Sequence, residues 1–216
     1  MEEILAHCDH TLLDPTATEE QIRGICDDAL RFQTASVCIP PSYVRFAADY
    51  LGGRIKVCTV IGFPNGYNST TVKCSEAAEA VVNGADEIDM VVNLGWVKDG
   101  KWDEVLKEID SVKVSIARRT LKVIVETCRL TEEEKVRITE VVDTSTADYI
   151  KTSTGFSTGG ATFEDIKLFA DHIKNGTKIK AAGGIKTLED ADTFLTLGAD
   201  RLGTSRIVKL AKEALE

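Results

Sequence analysis

The hydrophobic residues of this chain recur in short β-rich runs, and each run is followed by a stretch with helical periodicity. The runs lie near residues 36–39, 57–61, 87–92, 121–125, 149–151, 178–182 and 201–203. Their starts are 21 to 34 residues apart, which is the length of a βα unit. A short strand around Ala6–Asp9, followed by a helix from about Thr18 to Phe32, brings the predicted strands to eight.

This βα rhythm continues along the whole chain without a Gly/Pro/Ser-rich linker or a low-complexity segment. Eight βα units within about 200–250 residues are typical of a (β/α)8 barrel rather than of an open sheet. With 216 residues and 43% hydrophobic content, the chain is long enough to bury one sizeable core. The pattern therefore predicts an α/β fold, a TIM barrel, with residues 1–216 as a single domain.

Three of the predicted strands are preceded by a similar tripeptide. Gly84-Ala85-Asp86, Thr146-Ala147-Asp148 and Gly198-Ala199-Asp200 each close a helix just before a strand. The two glycines suit a helix C-cap.

Side chains alternate between the two faces of a strand, which assigns the polar residues of these runs to one face. Cys38, Asp89 and Lys180 are each flanked by two apolar residues, and Ile150 precedes Lys151. We expect the apolar flanks to face the helices and the polar residues to point into the barrel. They lie at or near the carboxyl ends of their strands, where barrel active sites lie. Asp9 joins them if the first strand ends there.

Two lysines, Lys151 and Lys180, end neighbouring strands and precede small residues. A buried ammonium is costly unless it is paired, solvated or used, and each of two close lysines disfavours the charge of the other. Such a pair favours a neutral amine, which attacks carbonyl groups. Either lysine alone would more often be a solvated cation. Asp89 fits a structural partner of a buried lysine as well as a proton-transfer group, and the two roles are compatible.

Other polar residues have simpler interpretations. Asp9 also fits a turn or a helix start, and Cys38 fits a small core residue better than a nucleophile because no histidine stands ready to activate it. His7, Asp9 and His10 superficially suggest a metal site, but a local turn is favoured. His172, in a predicted helix over Phe163–Asn175, is expected at the surface.

Glycine-containing turns follow the last three strands, at Gly155, Gly159-Gly160, Gly183-Gly184 and Gly203-Thr204-Ser205. Barrels often bind phosphate on backbone N–H groups after strands seven and eight. Two such turns on consecutive strands, the second opening a helix at Ser205, therefore predict a phosphorylated substrate. The alternative is that these glycines only shape turns.

Composition and charge exclude several classes of function. The chain has 26 basic and 35 acidic residues, for a net charge of −9, which argues against nucleic acid as a partner. Met1-Glu2-Glu3 does not begin a signal peptide, and no apolar run approaches the length of a membrane span. We therefore expect a cytoplasmic protein without membrane contact. The six cysteines contain no C-x-x-C pair and are expected to be reduced thiols, mostly in the core.

Five sequence stretches together resemble the deoxyribose-phosphate aldolase family along essentially the whole chain. They are DHTLL (9–13), GADEIDMVVN (84–93), YIKTSTGF (149–156), IKAAGGI (179–185) and LGTSR (202–206). The resemblance implies a class I aldolase on a (β/α)8 barrel, without metal or other cofactor. It would cleave 2-deoxy-D-ribose 5-phosphate reversibly to D-glyceraldehyde 3-phosphate and acetaldehyde. The alternatives are another Schiff-base aldolase for a related phosphosugar and a non-catalytic phosphosugar-binding barrel.

The resemblance also implies residue roles. Lys151 would form the Schiff base, Lys180 would lower its pKa and transfer protons, and Asp89 would be the proton-relay acid. The positions that match substrate contacts are Asp9, Thr11, Cys38 and Thr152, and those that match the phosphate loops are Gly155, Gly183, Gly184, Gly203 and Ser205. The implied partners are a small phosphosugar and aldehydes, and the expected assembly is a homo-oligomer, either a dimer or a tetramer.

The chain departs from some members of that family at two places. Phe156 stands where some members have a lysine, so we expect phosphate affinity to rest more on backbone donors. Some longer relatives end in a tyrosine that reaches into the site, whereas no tyrosine follows Tyr149 here. Proton abstraction assisted by a tail tyrosine is therefore not expected.

Overall fold

The computed structural model describes residues 1–215, which form a closed barrel of eight parallel strands in chain order with helices between them. The strands are β1 Cys8–Thr11, β2 Ser36–Ile39, β3 Lys56–Ile61, β4 Glu87–Val91, β5 Thr120–Ile124, β6 Tyr149–Lys151, β7 Lys178–Ala182 and β8 Arg201–Thr204. The helices are α1 Glu2–Ala6, α2 Glu19–Phe32, α3 Val44–Leu51, α4 Thr70–Val82, α5 Leu94–Lys98, α6 Trp102–Ser115, α7 Glu132–Thr144, α8 Phe163–His172, α9 Leu188–Thr196 and α10 Arg206–Glu213. Single 3₁₀ turns lie at Pro41–Tyr43 and Thr127–Arg129. The predicted fold class is confirmed.

Most predicted boundaries agree with the structure to within one residue, but two were wrong. The first strand begins at Cys8 rather than Ala6, because residues 2–6 form α1. Helix α8 ends at His172 rather than Asn175, because the Asp143 carboxylate accepts the backbone N–H groups of residues 174 and 175 and holds them outside the helix. The His172 ring lies 2.8 Å from the Leu168 carbonyl oxygen and is partly exposed.

Three helices begin with reciprocal side-chain caps. At the start of α2, Thr18 accepts the backbone N–H of Gln21, and the Gln21 side chain accepts the backbone N–H of Thr18. The same capping box lies at Thr131 for α7 and at Thr187 for α9. These bonds satisfy N–H groups that the first helical turn leaves without partners. They fix where each helix starts relative to the preceding strand.

Three aspartates close the amino-terminal end of the barrel by one repeated device. Each precedes a strand and exchanges two hydrogen bonds with one residue of the strand before it. The carboxylate accepts a backbone N–H, and the aspartate's own N–H donates to the carbonyl of that same residue. The pairs are Asp86 with Val57, Asp148 with Leu121 and Asp200 with Ile179. The tripeptides noted in the sequence therefore set strand register as well as ending helices.

The outer and inner faces of the barrel differ sharply in polarity. Outward-facing strand residues such as Ile88 and Ile150 pack with the helices in one large apolar cluster. The interior instead holds charged side chains that are 0–8% exposed, together with a small apolar cluster around Cys38, Cys58 and Val60. Charges at such depth need close partners of opposite sign. The pairing of these buried charges therefore defines the site.

The helices of residues 1–215 are short. The longest, α2 and α6, have 14 residues each, and none in this part of the chain is long and apolar enough to cross a membrane.

Candidate active site

Lys151 and Lys180 lie side by side at the carboxyl-terminal half of the barrel. They are register partners on the adjacent strands β6 and β7. Each Nζ atom lies 2.7 Å from the same oxygen, Asp89 Oδ2, so the two nitrogens are within about 5.4 Å of each other. Lys151 is 3% exposed and Lys180 is completely buried. The structure places all three side chains on the inward face that strand alternation predicts.

Asp89 is a carboxylate surrounded by donors. Its Oδ1 accepts from Lys122 Nζ at 2.9 Å and from Cys58 Sγ at 3.1 Å, while Oδ2 accepts from the two lysines above. Burial alone would raise the pKa of Asp89, but the neighbouring lysines, Lys122 first, outweigh burial and hold this pKa well below its ordinary value. The resting group is therefore a proton acceptor, and it cannot donate a proton before it has taken one up.

Lys180 is held between two carboxylates. In addition to Asp89 it contacts Asp9 Oδ2 at 2.5 Å. Burial opposes its charge, but Asp89 and Asp9 together raise the pKa of Lys180 above its ordinary value. Lys180 is accordingly a charged donor beside Lys151.

Three charged residues in the barrel interior were missed in the sequence. Lys122 Nζ contacts Glu87 Oε2 at 2.6 Å as well as Asp89, and Arg201 Nη1 contacts Asp9 Oδ1 at 2.5 Å and Glu87 Oε2 at 3.1 Å. Burial works against the charge of Lys122, but its carboxylate neighbours raise its pKa well above the ordinary value. The alternation of Leu121 and Val123 around Lys122 was a signal that could have placed it inside.

A cavity of about 290 Å³ opens above Lys151 at the carboxyl ends of the strands. Its lining includes Lys151, Thr11 and every position predicted to bind phosphate: Gly155, Gly183, Gly184, Gly203 and Ser205.

The backbone around this cavity needs glycine. Gly183 and Gly184 have φ of 74° and 78°, a left-handed conformation that other residues rarely adopt. A Cβ on Gly160 would lie 2.5 Å from the carbonyl carbon of Gly183, so these two loops can pack together only without side chains. Ser205 is the N-cap of α10 and directs the amino-terminal end of that helix toward the cavity.

The remaining substrate positions implied by the resemblance lie outside the cavity lining. Asp9, Cys38 and Thr152 are each 0% exposed. Thr152 Oγ1 accepts the backbone N–H of Ala182 at 3.1 Å, which ties the end of β6 to β7. As placed here these residues support the cavity from behind, and direct substrate contacts by them stay predictions.

Phe156 lies at the cavity rim and is half exposed. Its ring packs edge-on against Phe63, with centroids 5.3 Å apart. Arg206, at the first position of α10, also lines the cavity. Sequence reasoning assigned Arg206 no role. Its guanidinium pairs with Glu213 on the same helix, with Nη1 3.5 Å from Oε1.

Glu126 fixes the loop that follows Lys151. This residue is 3% exposed and has a left-handed backbone with φ of 54°, which costs free energy for a non-glycine residue. Its carboxylate accepts the Thr154 N–H at 3.1 Å and the Thr154 hydroxyl at 2.5 Å. The Thr154 hydroxyl oxygen in turn accepts the N–H of Phe156 at 3.0 Å. A buried carboxylate thus holds the loop between the lysine and the cavity rim.

Two groups of potential metal ligands occur among residues 1–215, Cys38 with Cys58 and Asp89, and Asp9 with Cys58 and Glu87. The carboxylates in both groups already accept from lysine or arginine, so a metal ion would have to displace an ammonium or guanidinium group. The alternative set His7, Asp9 and His10 does not converge. Asp9 points into the barrel, whereas the His10 ring lies 3.5 Å from Asp28 on α2 and His7 Nδ1 lies 2.9 Å from the Asp200 carbonyl oxygen.

The fold and the site define a TIM-barrel enzyme whose centre is a lysine at a strand end. Residues 4–204 match the sequence profile of the DeoC/LacD family aldolases. The chain belongs to this family of aldolases.

Individual relatives agree with this assignment. The chain is 57% identical over 212 residues to a deoxyribose-phosphate aldolase of Streptococcus pyogenes, covering 98% of this chain and 95% of that protein. Its fold matches the structure of QR15, an aldolase, with a TM-score of 0.94 at 40% identity, covering 100% of this chain and 97% of the other. A tetrameric deoxyribose phosphate aldolase from Aeropyrum pernix matches with a TM-score of 0.86 at 31% identity, covering 99% and 92%.

Proposed function

We propose that this chain is a class I aldolase that reversibly cleaves 2-deoxy-D-ribose 5-phosphate to D-glyceraldehyde 3-phosphate and acetaldehyde. The observation that carries the proposal is the position of Lys151, whose amine lies at the floor of the glycine-lined cavity and touches the buried Asp89–Lys180 pair. The identity of 57% to the aldolase of Streptococcus pyogenes supports this substrate.

The first step needs Lys151 as a neutral amine. A lysine of ordinary pKa, about 10.4, is neutral at pH 7 in only about one molecule in 2,500. Lys180 nearby disfavours a second positive charge. The Lys151 nitrogen adds to C1 of the open-chain sugar, and its proton passes to the carbonyl oxygen, which gives a carbinolamine. Lys180 is placed to protonate the leaving hydroxyl, so that water departs and an iminium forms.

The iminium then accepts the electron pair of the C2–C3 bond. The proton of the C3 hydroxyl passes to a base, C3 becomes the aldehyde carbon of glyceraldehyde 3-phosphate, and C1 and C2 remain on Lys151 as an enamine. Protonation of C2 and hydrolysis of the resulting iminium release acetaldehyde and restore the amine. Asp89, held as a carboxylate by its three lysines, is the acceptor through which these protons move, either directly or through Lys180 or water.

The cavity wall supplies the phosphate site in this proposal. Gly183, Gly184 and Gly203 offer backbone there, and Ser205 occupies the N-cap position of α10. Backbone N–H groups at such a helix start favour a phosphate dianion. Arg206 is the one cation among the lining residues other than Lys151. Its Nη1 lies 3.5 Å from Glu213 Oε1 on the same helix. In this proposal the guanidinium turns from Glu213 to the phosphate and takes the part that a lysine at position 156 plays in some relatives.

We also propose that residues 1–216 act as one catalytic domain in a cytoplasmic homo-oligomer, either a dimer or a tetramer. The Aeropyrum pernix relative is described as a tetramer. All six cysteines are free thiols, and four of them are buried, as suits a reducing compartment. The net charge of −9 gives nucleic acid no part in the proposal.

A coupled assay tests the reaction. The protein is incubated with 2-deoxyribose 5-phosphate, and acetaldehyde is measured by its reduction with alcohol dehydrogenase and NADH. The chelator is applied to the protein and removed by desalting before the assay, because alcohol dehydrogenase is itself a zinc enzyme. We expect turnover that this treatment leaves unchanged and that is slower with unphosphorylated deoxyribose. Acetaldehyde release that stops with the chelator, or that is absent with a folded sample, would contradict the proposal.

A further inference from the structure

Six charged side chains inside the barrel form a closed ring in which negative and positive groups alternate. Each cation bridges two carboxylates, at distances between 2.5 and 3.1 Å. In order around the ring they are Asp89, Lys180, Asp9, Arg201, Glu87 and Lys122, which returns to Asp89. Lys122 also lies 3.7 Å from Asp9 Oδ2 across the ring. The members come from β1, β4, β5, β7 and β8, so only closure of the barrel brings them together.

The ring is neutral by itself, because three carboxylates face three cations. Lys151 is a fourth cation attached to it from above, through Asp89 Oδ2 alone. A proton on Lys151 would therefore leave one positive charge without a carboxylate of its own. This charge would be costly, because Lys151 is only 3% exposed.

Among the other groups that face the ring, Cys58 and Lys56 do not change this count. From β3, the Cys58 thiol donates to Asp89, and burial first, then its neighbours, raise its pKa well above the ordinary value, so that it stays neutral. Cys38 faces the same space from β2, and the hydrogen bond from Cys58 lowers its pKa, so its thiol is the neighbour whose deprotonation would add a negative charge. Lys56 approaches Glu87 at 3.6 Å from the amino-terminal end of the barrel, but its side chain is 60% exposed and screened by water.

We propose that this ring keeps Lys151 a neutral amine, because each of the three ring carboxylates is already shared between two ring cations and Lys151 has only a share of Asp89. Lys122, Glu87 and Arg201 are then positioning residues that act on the nucleophile through Asp89 and never touch the substrate. The inference rests on the proposed function, in which Lys151 is the nucleophile, and adds to it the residues that set its charge.

Two single substitutions on the same ring contact have opposite expected effects. Lys122→Met removes a positive charge, the ring becomes negative, and Lys151 should hold its proton more tightly. The acid limb of the pH profile of kcat/KM should then move to higher pH by about one unit or more. At a fixed pH on the acid side, each unit of this shift lowers kcat/KM about tenfold. Glu87→Gln removes a negative charge and should move the same limb down. The double variant restores neutrality and should return the limb close to that of the unchanged protein.

The matched control is a buried ion pair outside the ring. Lys73 Nζ lies 2.8 Å from Glu108 Oε2, and both side chains are completely buried between α4 and α6. The double variant Lys73→Met/Glu108→Gln removes the same two kinds of charge at the same depth. It should leave the acid limb unmoved.

A second measurement needs neither turnover nor an altered ring. Trace acetylation with acetic anhydride across a pH series, followed by peptide mass mapping, reports the pH at which each lysine becomes reactive. In the unchanged protein, the midpoint of the Lys151 reaction should lie at least about one pH unit below that of the exposed Lys209. In variants that remain folded by circular dichroism, the Lys151 midpoint should rise in Lys122→Met and fall in Glu87→Gln.

The outcomes separate the ring from the reaction. Limbs or midpoints that stay fixed, or that move the same way in Lys122→Met and Glu87→Gln, would overturn the ring proposal while leaving the aldolase intact. A Lys151 midpoint equal to that of Lys209 in the unchanged protein would also overturn the ring proposal. This comparison remains available if neither single variant folds. A low Lys151 midpoint in a protein that releases no acetaldehyde would instead reject the proposed function and leave the charge assignment standing.

Discussion

Lys151 and Lys180 donate to the same carboxylate oxygen, Asp89 Oδ2, each at 2.7 Å. The two amines nevertheless differ in what else they touch. Lys180 has a second carboxylate, Asp9, at 2.5 Å, whereas Asp89 is the only carboxylate that Lys151 contacts among residues 1–215. Two ammonium groups on one oxygen compete, and the one with a single partner loses its proton more easily. This asymmetry supports the proposal in which Lys151 is the nucleophile and Lys180 the charged acid.

Replacing Lys180 should affect both rate and pH dependence. Lys180→Met keeps most of the bulk and deletes the charge. We expect kcat to fall by roughly 10²–10⁴, the usual contribution of a general acid, and the acid limb of kcat/KM to move to higher pH, because Lys151 would hold its proton more tightly. Lys178→Met is the control, since Lys178 is exposed at the opposite end of the same strand. A reduced rate with an unchanged pH profile would show that Lys180 does not set the charge of Lys151.

Ser205 should control affinity for the phosphate. Ser205→Glu would place a carboxylate at the start of α10, where the proposal seats the phosphate dianion. KM for 2-deoxyribose 5-phosphate should rise roughly tenfold or more, equal to about 1.4 kcal/mol, while kcat/KM for unphosphorylated deoxyribose should change little. Equal losses for both substrates would place the phosphate elsewhere and reduce the glycine loops to ordinary turns.

Phe156 marks a position where charge can be added. The ring is half exposed at the cavity rim, so a lysine there can reach the same space. Phe156→Lys should strengthen binding of the phosphosugar by about 1 kcal/mol, close to a fivefold lower KM. Phe156→Met is the matched control because it also removes the packing on Phe63 but brings no charge. If both variants lower KM alike, the charge is not responsible.

The buried charges also predict how stability depends on pH. Burial would raise the pKa of Asp9, but Lys180, Lys122 and Arg201 outweigh it and hold that pKa far below its ordinary value. A depressed folded-state pKa stabilises the fold above the unfolded value, about 3.9, and this stabilisation is lost as the pH falls below it. Asp9→Asn leaves Lys180 and Arg201 without one partner each, and should lower the free energy of unfolding by about 3–5 kcal/mol at pH 7.

Urea unfolding of both proteins at several pH values measures this difference. It should be largest near neutral pH and shrink below about pH 4, where Asp9 in the unfolded chain becomes protonated. A difference that stays constant down to pH 3 would mean that the Asp9 charge does not carry the stabilisation.

The fold could be predicted because its signals are local. Each βα unit is written within 21 to 34 residues, and the inward lysines follow from alternation along single strands. β1 was placed two residues too early because Cys8-Asp9-His10-Thr11 has little intrinsic strand character. It is a strand because it pairs with β2 on one side and β8 on the other, and this pairing exists only when the barrel closes.

The other charged residues of the site could not be predicted, because their partners are distant in the chain and meet only when the barrel closes. Lys122, Glu87 and Arg201 are charged residues of a kind that usually lies at the surface, and nothing within their own strands names a partner. Glu87 and Arg201 are 114 residues apart in the chain yet 3.1 Å apart in the barrel. Glu126 was equally hidden, since its role depends on a loop 28 residues later. Motifs within one strand could be interpreted, whereas pairings between distant strands could not.

The most direct test of the account is to trap the intermediate on the lysine itself. The protein is treated with sodium borohydride in the presence of 2-deoxyribose 5-phosphate or acetaldehyde, digested, and mapped by peptide mass spectrometry, with a sample lacking aldehyde as the control. We expect a reduced adduct on Lys151 alone, with Lys180 and Lys122 unmodified. An adduct on Lys180 would reverse the assigned roles, and turnover without any trapped lysine would contradict the Schiff-base mechanism.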